Sequence, residues 1–171
     1  MHPNSVEIAI EKYCTKGVVI DTNLLLVYAV GCHDPRWIEK FSRTHSYSAD
    51  DFSLLSKFVS RFSVVVSTPN ILTEVSNLLG QLPGGVKPSC FEELRKQILL
   101  LNEEFLPSRD ASSSKHFVRF GLTDSAIMGV SKNRYLVLTD DLKLAFLLEK
   151  FGFDVLNFNH LRAPRWMPGG G

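Results

Sequence analysis

A short run of β-branched residues that ends in an aspartate places the strongest limit on how this chain can fold. Val18, Val19 and Ile20 form an apolar strand pattern, and Asp21 follows at the start of an apolar segment of helical character. A strand that is apolar throughout indicates a sheet covered on both faces, as in α/β proteins. Asp21 is therefore expected where a buried strand meets a helix, which is the edge of an α/β sheet at which ligands bind.

The rest of the chain continues this alternation of strands and helices. We predict further strands at 63–67, 135–138 and 153–158. The predicted helices lie at 6–13, 22–29, 34–43, 48–62, 68–79, 89–106, 123–133 and 142–151. Thr68-Pro69 and Ser89-Cys90-Phe91-Glu92 are typical helix starts, a cap followed by proline and a capping box. The alternation predicts an α/β fold, a three-layer α/β/α sandwich with a mainly parallel central sheet.

The length of 171 residues suits a single domain with a substantial core. We divide the chain into an N-terminal helix extension at 1–16, a main domain at 17–160 and a C-terminal tail at 161–171 that has no fold of its own. The segment 107–114 is rich in serine and is interpreted as a mobile loop. No internal repeat and no linker divides the sequence further.

Composition excludes few classes of function. The formal net charge is +1, which neither favours nor excludes a polyanionic partner, because local patches decide such contacts. No apolar run approaches the roughly 20 residues of a membrane helix, and the N-terminus lacks the features of a signal peptide. The three cysteines are scattered and show no metal-binding or disulfide spacing. These features predict a cytoplasmic protein with reduced thiols and no membrane partner.

Further acidic residues recur near the predicted helix starts, at Glu74, Asp124 and the pair Asp140-Asp141. Each of them alone has a structural explanation. Asp124 and Asp141 are acids at helix starts, where N–H groups are unpaired, and Glu74 alone is typical of a solvated helix residue. Glu74 is expected to be partly buried at the edge of an apolar stripe, and Asp140 to be exposed. Together with Asp21, the acids predict a cluster that needs a compensating cation, and carboxylate oxygens favour Mg²⁺ or Mn²⁺. No histidine is near them in sequence, so zinc is disfavoured.

Four motifs in this order resemble the PIN-domain nucleases. They are Val18-Val19-Ile20-Asp21-Thr22-Asn23, Thr68-Pro69-Asn70-Ile71-Leu72-Thr73-Glu74-Val75, Leu122-Thr123-Asp124-Ser125-Ala126-Ile127 and Leu136-Val137-Leu138-Thr139-Asp140-Asp141. The resemblance spans 17–158 and is most specific in the Asp-Thr-Asn after the first strand and the Thr-x-Asp after a late strand. It implies a parallel α/β/α sandwich and a metal-dependent endoribonuclease that hydrolyses RNA with Mg²⁺ or Mn²⁺.

The resemblance also implies roles for individual residues. The acids that bind the metal and carry catalysis would be Asp21, Glu74, Asp124 and Asp141. Asp141 is preferred to Asp140 because it fills the last place of Thr-x-Asp. Asn23, Thr139 and Asp140 would be neighbouring groups, with Asn23 and Thr139 orienting the acids. The substrate would be single-stranded or looped RNA.

Several alternatives remain open from the sequence. The helix before the first strand and the long middle segments distinguish this chain from the small VapC-type toxins and weigh against a toxin role. Within the enzyme class, a toxin with an inhibitor protein is the alternative to a stand-alone nuclease. A catalytically silent binding or scaffold module is a second alternative, and a homodimer follows only by analogy. The basic residues Arg109, Lys115 and Arg119 are candidates for phosphate contact, with a solvated loop as the alternative. Tyr47 is interpreted as a packing or oligomer contact, with base stacking as the alternative.

Overall fold

The computed structural model of the chain describes residues 3–162. Within this range the strands are β1 (Val18–Ile20), β2 (Val65–Ser67), β3 (Asn102–Glu103), β4 (Leu136–Thr139) and β5 (Val155–Asn157). The α-helices are α1 (Pro3–Tyr13), α2 (Thr22–His33), α3 (Ala49–Val59), α4 (Pro69–Leu79), α5 (Lys87–Ile98), α6 (Ser108–Ser112), α7 (Phe117–Ser131), α8 (Leu142–Lys150) and α9 (Phe158–Arg162). A short 3-10 helix at Pro35–Trp37 follows α2.

The five strands form one parallel sheet in the order β3-β2-β1-β4-β5. At its centre Val19 lies between Val66 of β2 and Val137 of β4. Helices cover the sheet, and this confirms the predicted α/β/α sandwich. The chain builds one side outward from β1 through β2 to β3, and then returns to build β4 and β5 on the other side. The boundary between β1 and β4 is therefore a topological switch point, where such folds bind ligands.

The central helix α2 is buried on nearly every side. Leu24, Leu25, Leu26 and Val27 are all buried, so this helix is apolar all round, as expected for a helix inside a domain. The predicted cap of α4 is confirmed, because Thr68 accepts the Ile71 N–H. Helix α3 begins next to Ser48, the predicted start of its helix, and Ser48 forms a capping box with Asp51 there.

The prediction of one helix over 89–106 is wrong. Helix α5 begins at Lys87, with Val86 as a cap that makes no side-chain hydrogen bond, and it ends at Ile98. Asn102 and Glu103 then form β3 along the free edge of β2. The pairing with β2 outweighs the local helical pattern, because backbone groups at a sheet edge gain hydrogen bonds from an added strand. Phe105, which lies within the predicted helix, is 73% exposed.

The segment before Asp124 is more helical than predicted. Helix α6 forms within 107–114, which was expected to be a loop, and α7 begins at Phe117. Gly121 interrupts α7 with a φ of 78°, a left-handed conformation that glycine adopts without strain. The second part of α7 therefore starts after Gly121, so Thr123, the predicted first residue of this helix, lies inside it.

Both predicted flanking segments pack on the main domain where they are described. In α1, Ile10 and Tyr13 are buried in the core. Tyr13 and Lys12 donate hydrogen bonds of 2.5 and 2.8 Å to Asp154, just before β5. At the other terminus, residues 161–162 belong to α9, and the remainder of the predicted tail, 163–171, lies outside the described residues. In the described part of the chain, none of the helices has the length and apolarity needed to span a bilayer.

Candidate metal-binding acidic edge

Asp21 joins β1, α2 and β4 through one carboxylate. It caps α2 by accepting the Leu24 N–H at 3.0 Å on Oδ1. Its Oδ2 accepts hydrogen bonds from the Thr139 hydroxyl and, at 3.0 Å, from the Asp140 N–H. The residue is only 6% exposed. These three donors hold both carboxylate oxygens across the switch point between β1 and β4.

Asp140 lies directly after β4 and faces Asp21. Its carboxylate accepts a hydrogen bond from Asn23 Nδ2 at 3.2 Å and another from the Tyr47 hydroxyl. Burial, and after it the negative charge of Asp140, raise the pKa of Asp21 to about 8, against the opposing effect of its hydrogen-bond donors. The switch point thus carries two carboxyl groups that resist simultaneous ionisation.

Asp124 of α7 lies beside a second pair of acids. Partial burial, followed by the charges of Asp141 and Glu74, raises the pKa of Asp124 to about 6. Glu74 of α4 accepts a hydrogen bond of 3.0 Å from the Thr22 hydroxyl, next to Asp21. Asp141 caps α8 by accepting the Lys143 N–H at 2.7 Å. The two groups of acids are therefore connected through adjacent residues of β1–α2 and β4–α8.

We use the name acidic edge for the five carboxylates that these contacts place at the carboxyl end of the sheet. They are Asp21, Glu74, Asp124, Asp140 and Asp141. The structure brings all four acids predicted as ligands to this edge. Thr139 donates to Asp21, one of the acids that it is expected to orient, whereas Asn23 donates to Asp140, which is not among the four predicted ligands.

Two expected exposures are wrong. Asp140 is half-buried and not exposed, because its carboxylate accepts a hydrogen bond from the buried Tyr47. Glu74 is exposed and not partly buried, since Ile71 and Val75 take the core-facing side of α4.

The chemistry of the acidic edge fits a hard divalent cation, although its side chains do not yet surround one. All five side chains offer carboxylate oxygens, which Mg²⁺ and Mn²⁺ prefer. The pKa values of Asp21 and Asp124 are raised first by burial and then by neighbouring carboxylates, and a bound cation would favour the ionised form of both. Within residues 3–162, however, no three histidine, cysteine, aspartate or glutamate side chains are arranged to hold a metal ion. A cation bound here would therefore have to be held by carboxylates that accept other hydrogen bonds in this structure.

The basic residues predicted to contact substrate lie on the segment that leads into α7. Arg109 is exposed on α6, and Lys115 and Arg119 are exposed around the start of α7. Lys115 lies over the Phe151 ring and Arg119 over the Phe120 ring, at 5.1 and 5.0 Å from the centroids. Among the described residues none of the three forms a salt bridge, so their charges remain available to a polyanion.

Tyr47 is the residue at this edge that the sequence did not assign to the site. It comes from the loop before α3, and 93 positions separate it from Asp140. No motif marks it. The only signal is an aromatic residue with a polar tip in an otherwise polar segment, which indicates a buried ring with a partner for its hydroxyl.

No protein-family model, no curated protein and no solved structure matches this chain. Functional assignment of the acidic edge therefore depends on its residues and their contacts.

Proposed function

We propose that this protein is a metal-dependent endoribonuclease that hydrolyses phosphodiester bonds of RNA at the acidic edge. The observation that supports this most is that acids from separate parts of the chain lie within electrostatic reach of one another at the switch point. Asp21 is influenced by Asp140, and Asp124 by Asp141 and Glu74. The resemblance of the surrounding motifs to PIN-domain nucleases points to the same activity.

In this proposal Asp21, Glu74, Asp124 and Asp141 hold Mg²⁺ or Mn²⁺. A bound divalent ion supplies the Lewis-acid chemistry that phosphodiester hydrolysis requires. Thr139 fixes the orientation of Asp21 from β4, and the helix cap fixes it from α2, so the central ligand needs little reorganisation. Side-chain contacts of this kind support metal affinity even though they do not touch the ion.

The RNA phosphates would contact the basic residues Arg109, Lys115 and Arg119, which are exposed on α6 and around the start of α7. Sequence-independent binding of a single strand requires such positive charge. Because the formal net charge of the whole chain is only +1, this local charge has to supply the attraction.

A catalytically silent binding module is the second candidate. It is favoured by the observation that no three side chains within residues 3–162 are arranged to hold a metal ion. Under this alternative the acids would serve mainly as helix caps and hydrogen-bond acceptors, as Asp21 and Asp141 do.

The test is cleavage of a labelled single-stranded RNA with and without Mn²⁺. We expect Mn²⁺-dependent cleavage by the wild type and a loss of at least about 100-fold in Asp21→Asn and Asp124→Asn, because each removes a charged ligand. Glu11→Gln, the same chemical change on the exposed surface of α1, should retain the wild-type rate. Equal cleavage by all four proteins would show a contaminating nuclease and contradict the proposal.

A further inference from the structure

A tyrosine from outside the strand–helix framework is anchored directly on the acidic edge. Tyr47 is 5% exposed, and its hydroxyl donates to Oδ2 of Asp140. The Asn23 amide donates to the same carboxylate. Asp140 is thus held from two sides, by α2 and by the loop before α3.

Arg162 of α9 fixes this loop in turn. Its guanidinium makes two hydrogen bonds of 2.9 Å to the Asp51 carboxylate and one of 2.8 Å to the Ser46 carbonyl oxygen. It also lies over the Tyr47 ring, 4.8 Å from the centroid. The fork of donors on an arginine holds a carboxylate in one geometry. Tyr47 is therefore clamped between α9 and Asp140.

The packing of the Tyr47 ring does not by itself require the hydroxyl group. Its ring packs near Phe158, with centroids 6.5 Å apart, and a phenylalanine would provide this contact equally well. A carboxylate has about four acceptor sites, so Asp140 retains capacity for a cation after binding Asn23 and Tyr47. Its position beside Asp21 places that capacity at the switch point.

We propose that Tyr47 is a positioning residue of the acidic edge, whose hydroxyl holds the Asp140 carboxylate beside Asp21 so that Asp140 contributes to divalent-cation binding. This proposal rests on the proposed function. It adds a fifth carboxylate to the four acids of the motifs and gives the loop before α3 a role at the site.

The experiment is calorimetric titration of the full chain with Mn²⁺. We expect Tyr47→Phe to raise the dissociation constant about 10-fold or more, as is typical when a group that orients a ligand is lost. In an Asp140→Ala background the same substitution should cause no further change, because the carboxylate that Tyr47 holds is already absent.

Tyr13→Phe is the matched control. Tyr13 is also buried and donates its hydroxyl to an aspartate, Asp154, at the amino end of the sheet. Both substitutions should lower the melting temperature by similar amounts, but Tyr13→Phe should leave Mn²⁺ affinity at the wild-type value. A purely structural role for Tyr47 would make the two variants alike in both measurements.

The outcomes separate this proposal from the proposed function. Wild-type Mn²⁺ affinity in folded Tyr47→Phe overturns the role of Tyr47, while wild-type binding and cleavage leave the nuclease proposal standing. No Mn²⁺ binding by the wild type overturns both. If Tyr47→Phe fails to fold, Asn23→Ala is the variant to use, because it removes the other donor to Asp140 at an exposed position. Unchanged Mn²⁺ affinity in Asn23→Ala would overturn the proposal that donors to Asp140 support cation binding.

Discussion

Asp21 combines a structural and a chemical task in one side chain. Its Oδ1 caps α2, and its Oδ2 receives donors from β4. Burial and the charge of Asp140 oppose its ionisation, whereas the donors favour it, and the first effect is the larger one. The carboxyl group is therefore held in place by contacts that do not fully stabilise its charge.

This balance predicts a pH dependence of stability without divalent ions. The pKa of Asp21 is about 8 in the folded protein, against an ordinary value of 3.8. Between these values the folded protein keeps a proton that the unfolded chain has released, so the free energy of unfolding falls as pH rises and levels off above pH 8. The slope from this group is at most about 1.4 kcal/mol per pH unit.

Urea unfolding at several pH values between 5 and 8 measures this slope. Asp21→Asn should remove the part of the decline in unfolding free energy that comes from Asp21. The smaller decline that comes from Asp124 should remain and should end near pH 6. A wild-type free energy of unfolding that rises with pH through this range would contradict the assignment.

At the residue scale, the sequence predicted features that depend on adjacent residues, but it could not predict contacts between distant segments. Asp21 could be placed because it directly follows an apolar strand, and Thr68 because it precedes a helix-starting proline. Which of Asp140 and Asp141 is the more buried could not be predicted from adjacent residues. Asp140 accepts a hydrogen bond from the buried Tyr47, and that contact joins segments 93 positions apart.

Among the elements, the packing of α2 against α3 depends on one glycine. A Cβ atom at Gly31 would lie 2.3 Å from Cδ2 of Phe52, far inside any normal contact. The Phe52 ring is itself packed near Tyr28, with centroids 6.0 Å apart. The two helices can approach this closely only because position 31 has no side chain.

We therefore expect Gly31→Ala to destabilise the protein by about 1–3 kcal/mol, the usual cost of overpacking. This would occur despite the roughly 0.5–1 kcal/mol that alanine adds to helix stability over glycine. Thermal and urea unfolding measure the change. In a Phe52→Ala background, Gly31→Ala should be neutral or stabilising, and an equal loss in both backgrounds would contradict the proposed clash.

Sequence patterns predicted the elements well where hydrophobic period and end signals agree. This is so for α3, with its capping box, and for α4, between Thr68 and Gly80. The prediction failed at 89–106, where a helical pattern continues past Ile98 into residues that form β3. Nothing in that segment reveals that β2 has a free edge to which it can be added.

For the whole molecule, the strand order decides which side chains meet. Because β4 is inserted beside β1 and not after β3, the residues that follow these two strands share one crevice. The alternating pattern predicted a parallel sheet but could not give this order, since strand neighbours are set by packing of the complete domain. The expectation that the acids converge came from their positions near strand ends and helix starts, and the motif resemblance implied the same.

An ion that binds only the folded protein must stabilise it. At a Mn²⁺ concentration 100 times the dissociation constant, the free energy of unfolding should rise by about 2.7 kcal/mol. For a domain of this size that corresponds to a melting temperature higher by roughly 5–11 °C. A thermal scan with Mn²⁺ or with EDTA measures the shift.

Asp124→Asn should reduce this shift, and Glu11→Gln should leave it unchanged. No shift in the wild type at millimolar Mn²⁺ would favour the silent binding module over the nuclease.

The insertion of β4 beside β1 also has a consequence during synthesis. The two halves of the crevice are 119 positions apart, as measured from Asp21 to Asp140. While a ribosome is still translating the intervening segment, the emerging N-terminal part displays Asp21 without its partners from β4. A nascent chain consequently cannot assemble the acidic edge until β4 has been translated, and any activity located there begins only after that point.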